Sequence, residues 1–239
     1  MKKYKYLIFD ADHTLLHYIK DETSAFEDLY KELGLAYTKE LAKASRFYSE
    51  SVWTKTGLYD VHDEKIQREY HTLYRTHLYD VFARIFEQFP CNADPKTTSG
   101  RFLELLAREG AMMDGAEDVV KKLSKKSGGE YDVCIATNGI LEIQRARLCK
   151  LFPYAKAVFV SEELGCIKPL PEFFERMLES LQAESKECLM IGDSLSSDVA
   201  GAMAVGMDSC WYNPGGQENA TGFQPTYEIH TLEKLLEIL

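Results

Sequence analysis

No stretch of the chain approaches about eighteen consecutive apolar residues, so no segment is predicted to cross a membrane as a helix. An excess of positive charge is also missing. Lys and Arg number 28 against 38 Asp and Glu, a net charge of −10. A chain this acidic does not grip a nucleic-acid polymer or an anionic membrane through its overall field, although a local phosphate site needs only a few residues. Cysteine pairs at metal-ligand spacing are absent. The six cysteines (Cys91, Cys134, Cys149, Cys166, Cys188 and Cys210) form no C-x-x-C, so no metal held by sulfur is expected. Several lie in apolar runs, where a free thiol behaves as a small hydrophobe. Internal repeats and low-complexity tracts are lacking. Met1-Lys2-Lys3 carries the charge of a leader, but the apolar run after it, Leu7-Ile8-Phe9, stops at Asp10 and Asp12. That is too short for the apolar region of a secretory signal. The expectation is a protein of the reducing cytoplasm, in which the sequon Asn219-Ala220-Thr221 stays unmodified.

What is present is ordinary globular material: 239 residues, 45% apolar and 28% charged. That length fits one large domain, or a core with a smaller insert, and supports a core without staples. Short apolar runs recur at Tyr4 to Phe9, Tyr131 to Ala136, Ala157 to Val160, Cys188 to Ile191 and Ser209 to Tyr212. Runs apolar on both faces read as parallel strands covered on both sides. Amphipathic stretches lie between them: Ala116 to Leu123, Pro171 to Leu181, Ser196 to Val205 and Thr231 to Leu239. The alternation predicts an α/β fold built on a doubly wound parallel sheet.

One gap interrupts it. From about His17 to Pro90 the pattern is helical, with no strand run. Ala25 to Leu33 reads as an amphipathic helix, as does Glu64 to Phe89, with room for one break. This insert holds 14 of the 28 aromatic residues. They either fill the core of a small helical bundle or line a ligand pocket, and both readings can hold for different residues.

Four constellations carry chemistry. Asp10-Ala11-Asp12-His13-Thr14 follows the first strand. Two carboxylates at a buried strand end are costly unless a cation or a reaction uses them. A calcium loop of the EF-hand type fits poorly, because the position that needs Gly is Leu15. Thr137-Asn138-Gly139 ends the second strand; it suits an anion at a helix start and equally an ordinary helix cap. Lys168-Pro169 precedes the helix opened by Pro171, either as a counter-charge within a site or as a surface turn. Gly192-Asp193-Ser194, with Asp198 beyond, follows the fourth strand. Gly192 permits close backbone approach, and Asp198 reads as a site residue or as an acid favoured by a helix dipole.

The four fall in loops beyond strand tips, the edge where open α/β sheets hold ligands. In this order, D-x-D-x-T, Thr-Asn, Lys-Pro and G-D-x-x-x-x-D, they resemble the haloacid dehalogenase (HAD) superfamily over essentially the whole chain. Phe9-Asp10-Ala11-Asp12, Gly192 to Asp198, Cys210-Trp211-Tyr212-Asn213-Pro214 and Tyr227-Glu228-Ile229 look like its pyrimidine 5′-nucleotidase branch. His13 departs from that pattern, since many relatives carry Asp, Asn or Gly there. The resemblance implies a HAD-like Rossmannoid core over 1–16 and 96–239, with an inserted all-helical cap over 17–95. Only about thirty residues separate Thr137 from Lys168, too few for the large second type of cap.

For chemistry, the resemblance implies a Mg²⁺-dependent phosphomonoester hydrolase acting through an aspartyl-phosphate. Asp10 would be the nucleophile and Asp12 the acid and base. Mg²⁺ would be held by Asp10, the Asp12 carbonyl and Asp193. Thr137, Asn138 and Lys168 would bind phosphate, and Asp198 would support the metal and orient Lys168. The substrate implied is a small phosphate ester, foremost a nucleoside 5′-monophosphate. A phosphatase or mutase for a phosphosugar is the alternative. Asp12 argues against a dehalogenase, which lacks the second acid, and the intact motifs argue against a non-catalytic binding module.

Overall fold

In a computed structural model, residues 4–239 are described; Met1-Lys2-Lys3, which the leader reading concerns, lies outside them. The strands are β1 (Tyr6–Phe9), β2 (Asp132–Thr137), β3 (Ala157–Val160), β4 (Cys188–Gly192), β5 (Asp208–Tyr212) and β6 (Tyr227–Ile229). The α-helices are α1 (Tyr18–Glu32), α2 (Lys39–Thr56), α3 (Glu64–Gln88), α4 (Pro95–Leu106), α5 (Ala116–Leu123), α6 (Leu141–Arg147), α7 (Ser161–Leu164), α8 (Pro171–Leu181), α9 (Ala200–Ala204) and α10 (Leu235–Ile238). Two compact units result: Met1–His17 with Gly110–Leu239, and Tyr18–Glu109.

The first unit is a parallel sheet in the order β3-β2-β1-β4-β5-β6. β1 lies at its centre, pairing Tyr6 to Phe9 with Asp132 to Ile135 on one side and Cys188 to Ile191 on the other. Every β1 residue is buried. Side chains alternate along a strand, so Leu7 and Phe9 join the core under α5 and α10. Tyr6 and Ile8 join the core under α8 and α9. Each fully buried Leu, Ile or Phe contributes about 1.5–3 kcal/mol relative to exposure. All six cysteines are free; Cys134, Cys166 and Cys188 pack on one face of the sheet and Cys210 on the other. This is the doubly wound α/β fold expected. β6 is an addition: three residues with one exposed member, too short for an apolar run to mark it.

The second unit is the inserted helical cap, α1 to α4. α3 runs unbroken for 25 residues, because no Gly or Pro falls between Glu64 and Gln88. Asp63 caps its start by accepting from the Lys65 and Ile66 amides, as Thr38 caps α2 and Asp94 caps α4. The expected boundary at 95/96 is displaced. α4 belongs to the helical unit, which runs to Glu109. The physical reason is an aromatic cluster drawn from three helices: Phe102 of α4 sits 4.5 Å from Phe26 and 5.6 Å from Phe82, ring centre to ring centre. These aromatics fill a core, as do Tyr30 and Tyr70, whereas Phe47 and Tyr59 are exposed. Among the described residues no helix is long and apolar enough to cross a membrane.

Candidate active site

The tips of β1, β2 and β4 converge because these strands are neighbours in register. β1 delivers Asp10, whose amide still donates to the Ile191 carbonyl at 2.8 Å, so the nucleophile candidate is fixed by the last sheet bond. β4 delivers Asp193. Its amide donates to Thr14 Oγ1 at 3.1 Å, and the Trp211 indole donates to its carbonyl at 2.9 Å. Asp198 lies in a π-helical turn, Leu195–Val199, that leads into α9. Its Oδ2 accepts from the Ser194 amide at 3.1 Å. Gly192 is required here by close approach: a Cβ would collide with the Asp198 carboxylate.

Lys168 comes from the segment between α7 and α8, where the Lys168–Pro169 bond is cis. Asn138 fixes that segment. Its side-chain oxygen accepts from the Lys168 amide at 2.8 Å, and its side-chain nitrogen donates to the Lys168 carbonyl at 2.9 Å. The ammonium donates to Asp10 Oδ1 (2.5 Å), Asp198 Oδ1 (2.7 Å) and the Ala136 carbonyl (2.9 Å). A lysine has three such donors, so all are engaged. Lys168 is 1% exposed and Asp198 1%, so this is a buried pairing that would cost several kcal/mol to break.

Carboxylate oxygens of Asp10, Asp193 and Asp198 lie within 4.8 Å of one another. Three carboxylates face one ammonium. Burial pushes the Asp10 carboxyl well above the carboxylate range; Lys168 opposes this, while Asp198 and Asp193 add to it. Burial, then the Asp198 charge, pushes Asp193 up to about 7. Burial alone would lower Lys168, but Asp10 and Asp198 outweigh it and hold the ammonium above the ordinary lysine range. An oxygen-only donor set short of positive charge fits a hard divalent cation such as Mg²⁺.

Asp12 is not in that cluster. Its Oδ1 accepts from Arg147 Nη1 and its Oδ2 from Gln144 Nε2, each at 2.7 Å. Gln144 Nε2 also reaches Thr137 Oγ1 at 3.0 Å. The structure thus brings Asp10, Asp193, Asp198 and Lys168 together, and links Asp12 to Thr137 through Gln144. Gln144 and Arg147 escape a motif reading. Their signal is a Gln and an Arg three apart on α6, one helix face just after Thr137. His13 adopts φ 65°, the left-handed region. Gly, Asn and Asp tolerate that conformation best, so His13 is an uncommon choice for this backbone.

A parallel core with an inserted helical cap and this strand-tip cluster defines a HAD-type hydrolase. The chain matches the haloacid dehalogenase-like hydrolase family over residues 4–206 and belongs to it. It is 37% identical to pyrimidine 5′-nucleotidase PynA of Streptococcus pneumoniae, covering 99% of this chain and 95% of the relative. It is 25% identical to pyrimidine 5′-nucleotidase YjjG of Escherichia coli, covering 99% and 98%. The magnesium-bound crystal structure of YfnB from Bacillus subtilis aligns with a TM-score of 0.83 at 30% identity, covering 100% of this chain and 99% of that one. Family and donor set together support a Mg²⁺-dependent phosphomonoesterase.

Proposed function

We propose that the protein is a nucleoside 5′-monophosphate phosphatase. One observation carries the choice of substrate: 37% identity, along 99% of the chain, to a relative named as a pyrimidine 5′-nucleotidase.

In this reading an Asp10 carboxylate oxygen attacks phosphorus in line with the ester bond. Asp12 gives its proton to the departing ribose oxygen as that P–O bond breaks. A water then attacks the phosphorus of the aspartyl-phosphate and loses its proton to Asp12, which frees inorganic phosphate and restores Asp10. Lys168, anchored by Asp198, aims Asp10 and transfers one donor to a phosphoryl oxygen once substrate is bound. Thr137 and the Asn138 N–H hold other phosphoryl oxygens as charge spreads over them. Asp10, Asp193 and the Asp12 carbonyl, with support from Asp198, would hold Mg²⁺, which would supply charge neutralisation at the reacting centre.

The test is phosphate release across nucleoside 5′-monophosphates and sugar phosphates with Mg²⁺, for the wild type and Asp10→Asn. Nucleoside monophosphates are expected to have the highest kcat/KM, and Asp10→Asn to be inactive on all substrates, because an amide is not a nucleophile. Preference for a sugar phosphate would overturn the substrate class. Conversion of a sugar 1-phosphate to its 6-phosphate without free phosphate would make the protein a mutase.

A further inference from the structure

The Asp12 carboxylate is gripped by two α6 side chains to which neither the motifs nor the proposed reaction gives a part. Gln144 Nε2 takes Oδ2 and Arg147 Nη1 takes Oδ1, both at 2.7 Å, and Arg147 Nη1 also donates to Gln144 Oε1 at 3.2 Å. The three side chains close a ring in which each holds the other two. Such a ring is costly to build: Arg147 is 1% exposed and Gln144 3%.

Two glycines fit around it. A Cβ on Gly139 would lie 2.9 Å from Gln144 Nε2, and one on Gly110 would lie 2.6 Å from the Arg147 carbonyl. Both glycines also have positive φ, 157° and 148°. Both gripping residues are therefore seated against backbone that carries no side chain. α6 itself has Glu142 in its first turn, and Arg145 and Arg147 in its last. Arg147 thus leaves the helix at the end where a cation is favoured.

A buried guanidinium and amide on both oxygens of one half-exposed carboxylate fix its orientation more than they strengthen the fold. Gln144 also reaches Thr137 Oγ1 at 3.0 Å, so one amide spans the acid and the expected phosphate-binding hydroxyl. We infer that Gln144 and Arg147 are positioning residues that set where the Asp12 carboxyl meets the ester oxygen, with Gln144 tying that position to Thr137. The inference rests on Asp12 being the acid and base of the proposed reaction. A misplacement of about 1 Å in a reacting group costs on the order of a hundredfold in rate.

The test uses Gln144→Met, which keeps length and removes the amide, and Arg147→Lys, which keeps charge and loses the fork. Asp12→Asn is the reference. The readout is kcat/KM with Mg²⁺ on nitrophenyl phosphate, phenyl phosphate and a nucleoside 5′-monophosphate. This parameter reports steps up to departure of the leaving group. Nitrophenolate leaves without a proton, and a ribose alkoxide does not. Gln144→Met is expected to lose about tenfold or more on the poorer leaving groups, a part of the hundred- to ten-thousand-fold that an acid supplies. On nitrophenyl phosphate it should stay within about threefold of wild type. Arg147→Lys should fall between Gln144→Met and wild type in the same order of substrates.

Equal losses on all substrates in Gln144→Met, where Asp12→Asn is selective, would reduce the ring to scaffold and overturn the inference. Should Asp12→Asn itself show no dependence on the leaving group, the acid role falls and the inference falls with it. The two failures differ, since the reference variant alone reports the second. The aryl series also reads the ring whether or not nucleotides are the preferred substrate. Should Arg147→Lys not fold, Gln144→Met still decides.

Discussion

The carboxyl of Asp193 makes the metal-free fold lose stability as pH rises, and Mg²⁺ should reverse the trend. Its pKa stands at about 7 against an ordinary 3.8, because burial first and the Asp198 charge next penalise the ionised form. A folded-state value above the unfolded one means that the native protein holds this proton more tightly. Between about pH 4 and pH 7 the native state therefore binds more protons than the unfolded chain, and the free energy of unfolding declines with pH. Each tenfold change in proton affinity is about 1.4 kcal/mol, so Asp193 alone accounts for on the order of 4 kcal/mol across the window. Asp10 is pushed the same way. A divalent cation needs these ligands deprotonated, so it competes with the protons and binds more tightly as pH rises.

Thermal unfolding of the wild type and Asp193→Asn, from pH 5 to pH 8, with and without millimolar Mg²⁺, reads the effect. Asn cannot ionise. The metal-free variant should therefore gain on the metal-free wild type as pH rises, by on the order of 10 °C at about 2–4 °C per kcal/mol. The Mg²⁺-induced rise in Tm should grow with pH in the wild type and shrink sharply in Asp193→Asn. Parallel Tm profiles for the two proteins without metal, or a Mg²⁺ shift in the wild type that shrinks toward pH 8, would refute the reasoning.

Two further outcomes follow from the packing. Lys168→Met removes the cation that Asp10 and Asp198 share, so it should cost about 3–5 kcal/mol without Mg²⁺. The loss should narrow when Mg²⁺ is added, as measured by denaturant unfolding. Phe102→Ala should destabilise the helical unit by about 3–5 kcal/mol. Trp53 lies in that unit and Trp211 in the other, so Trp53 fluorescence in a Trp211→Phe background should report the loss, while metal-free α/β-unit unfolding stays put.

The sheet was legible because β1 to β5 are short runs apolar on both faces, a pattern that parallel pairing requires. Each ends against Asp, Asn, Ser or Gly where the chain must leave the core. α5 and α8 were legible to the residue, since their buried side chains recur at helical spacing and Pro171 marks a start. The cap resisted for a related reason. α2 buries only Leu41, Ala44, Ser45 and Val52, too sparse a stripe to stand out, and it is fixed by Thr38 and by Gly57 at φ 76°. α4 has a clear start at Asp94-Pro95, but nothing local says which unit its Phe102 will join. That choice is made by Phe26 and Phe82, far away in sequence. Residue type marked Asp10 and Asp193, because acids at strand ends are unusual, while Asp198, in a helical turn, was marked by its G-D-x-x-x-x-D spacing. It passed over Gln144 and Arg147, because a Gln and an Arg near a helix end are ordinary surface residues until tertiary structure buries them.

An acidic chain that handles phosphate needs a local explanation, and the site's charge supplies it. Asp10, Asp193 and Asp198 carry three negative charges if ionised, and Lys168 offsets one. The remaining two match a divalent cation, and in its absence protons take its place, which is the upward push on Asp10 and Asp193. Once cation and lysine balance the carboxylates, no net positive charge is left over for a phosphate dianion. In the proposed reaction, the neutral donors at the β2 tip, the Thr137 hydroxyl and the Asn138 N–H, must then share the phosphoryl oxygens with the one donor that Lys168 transfers. Gln144 already engages that hydroxyl together with Asp12. A phosphate oxygen accepting from the Thr137 hydroxyl leaves its Oγ1 lone pair on the Gln144 amide, so the hydroxyl and the acid stay linked through one side chain when the anion binds.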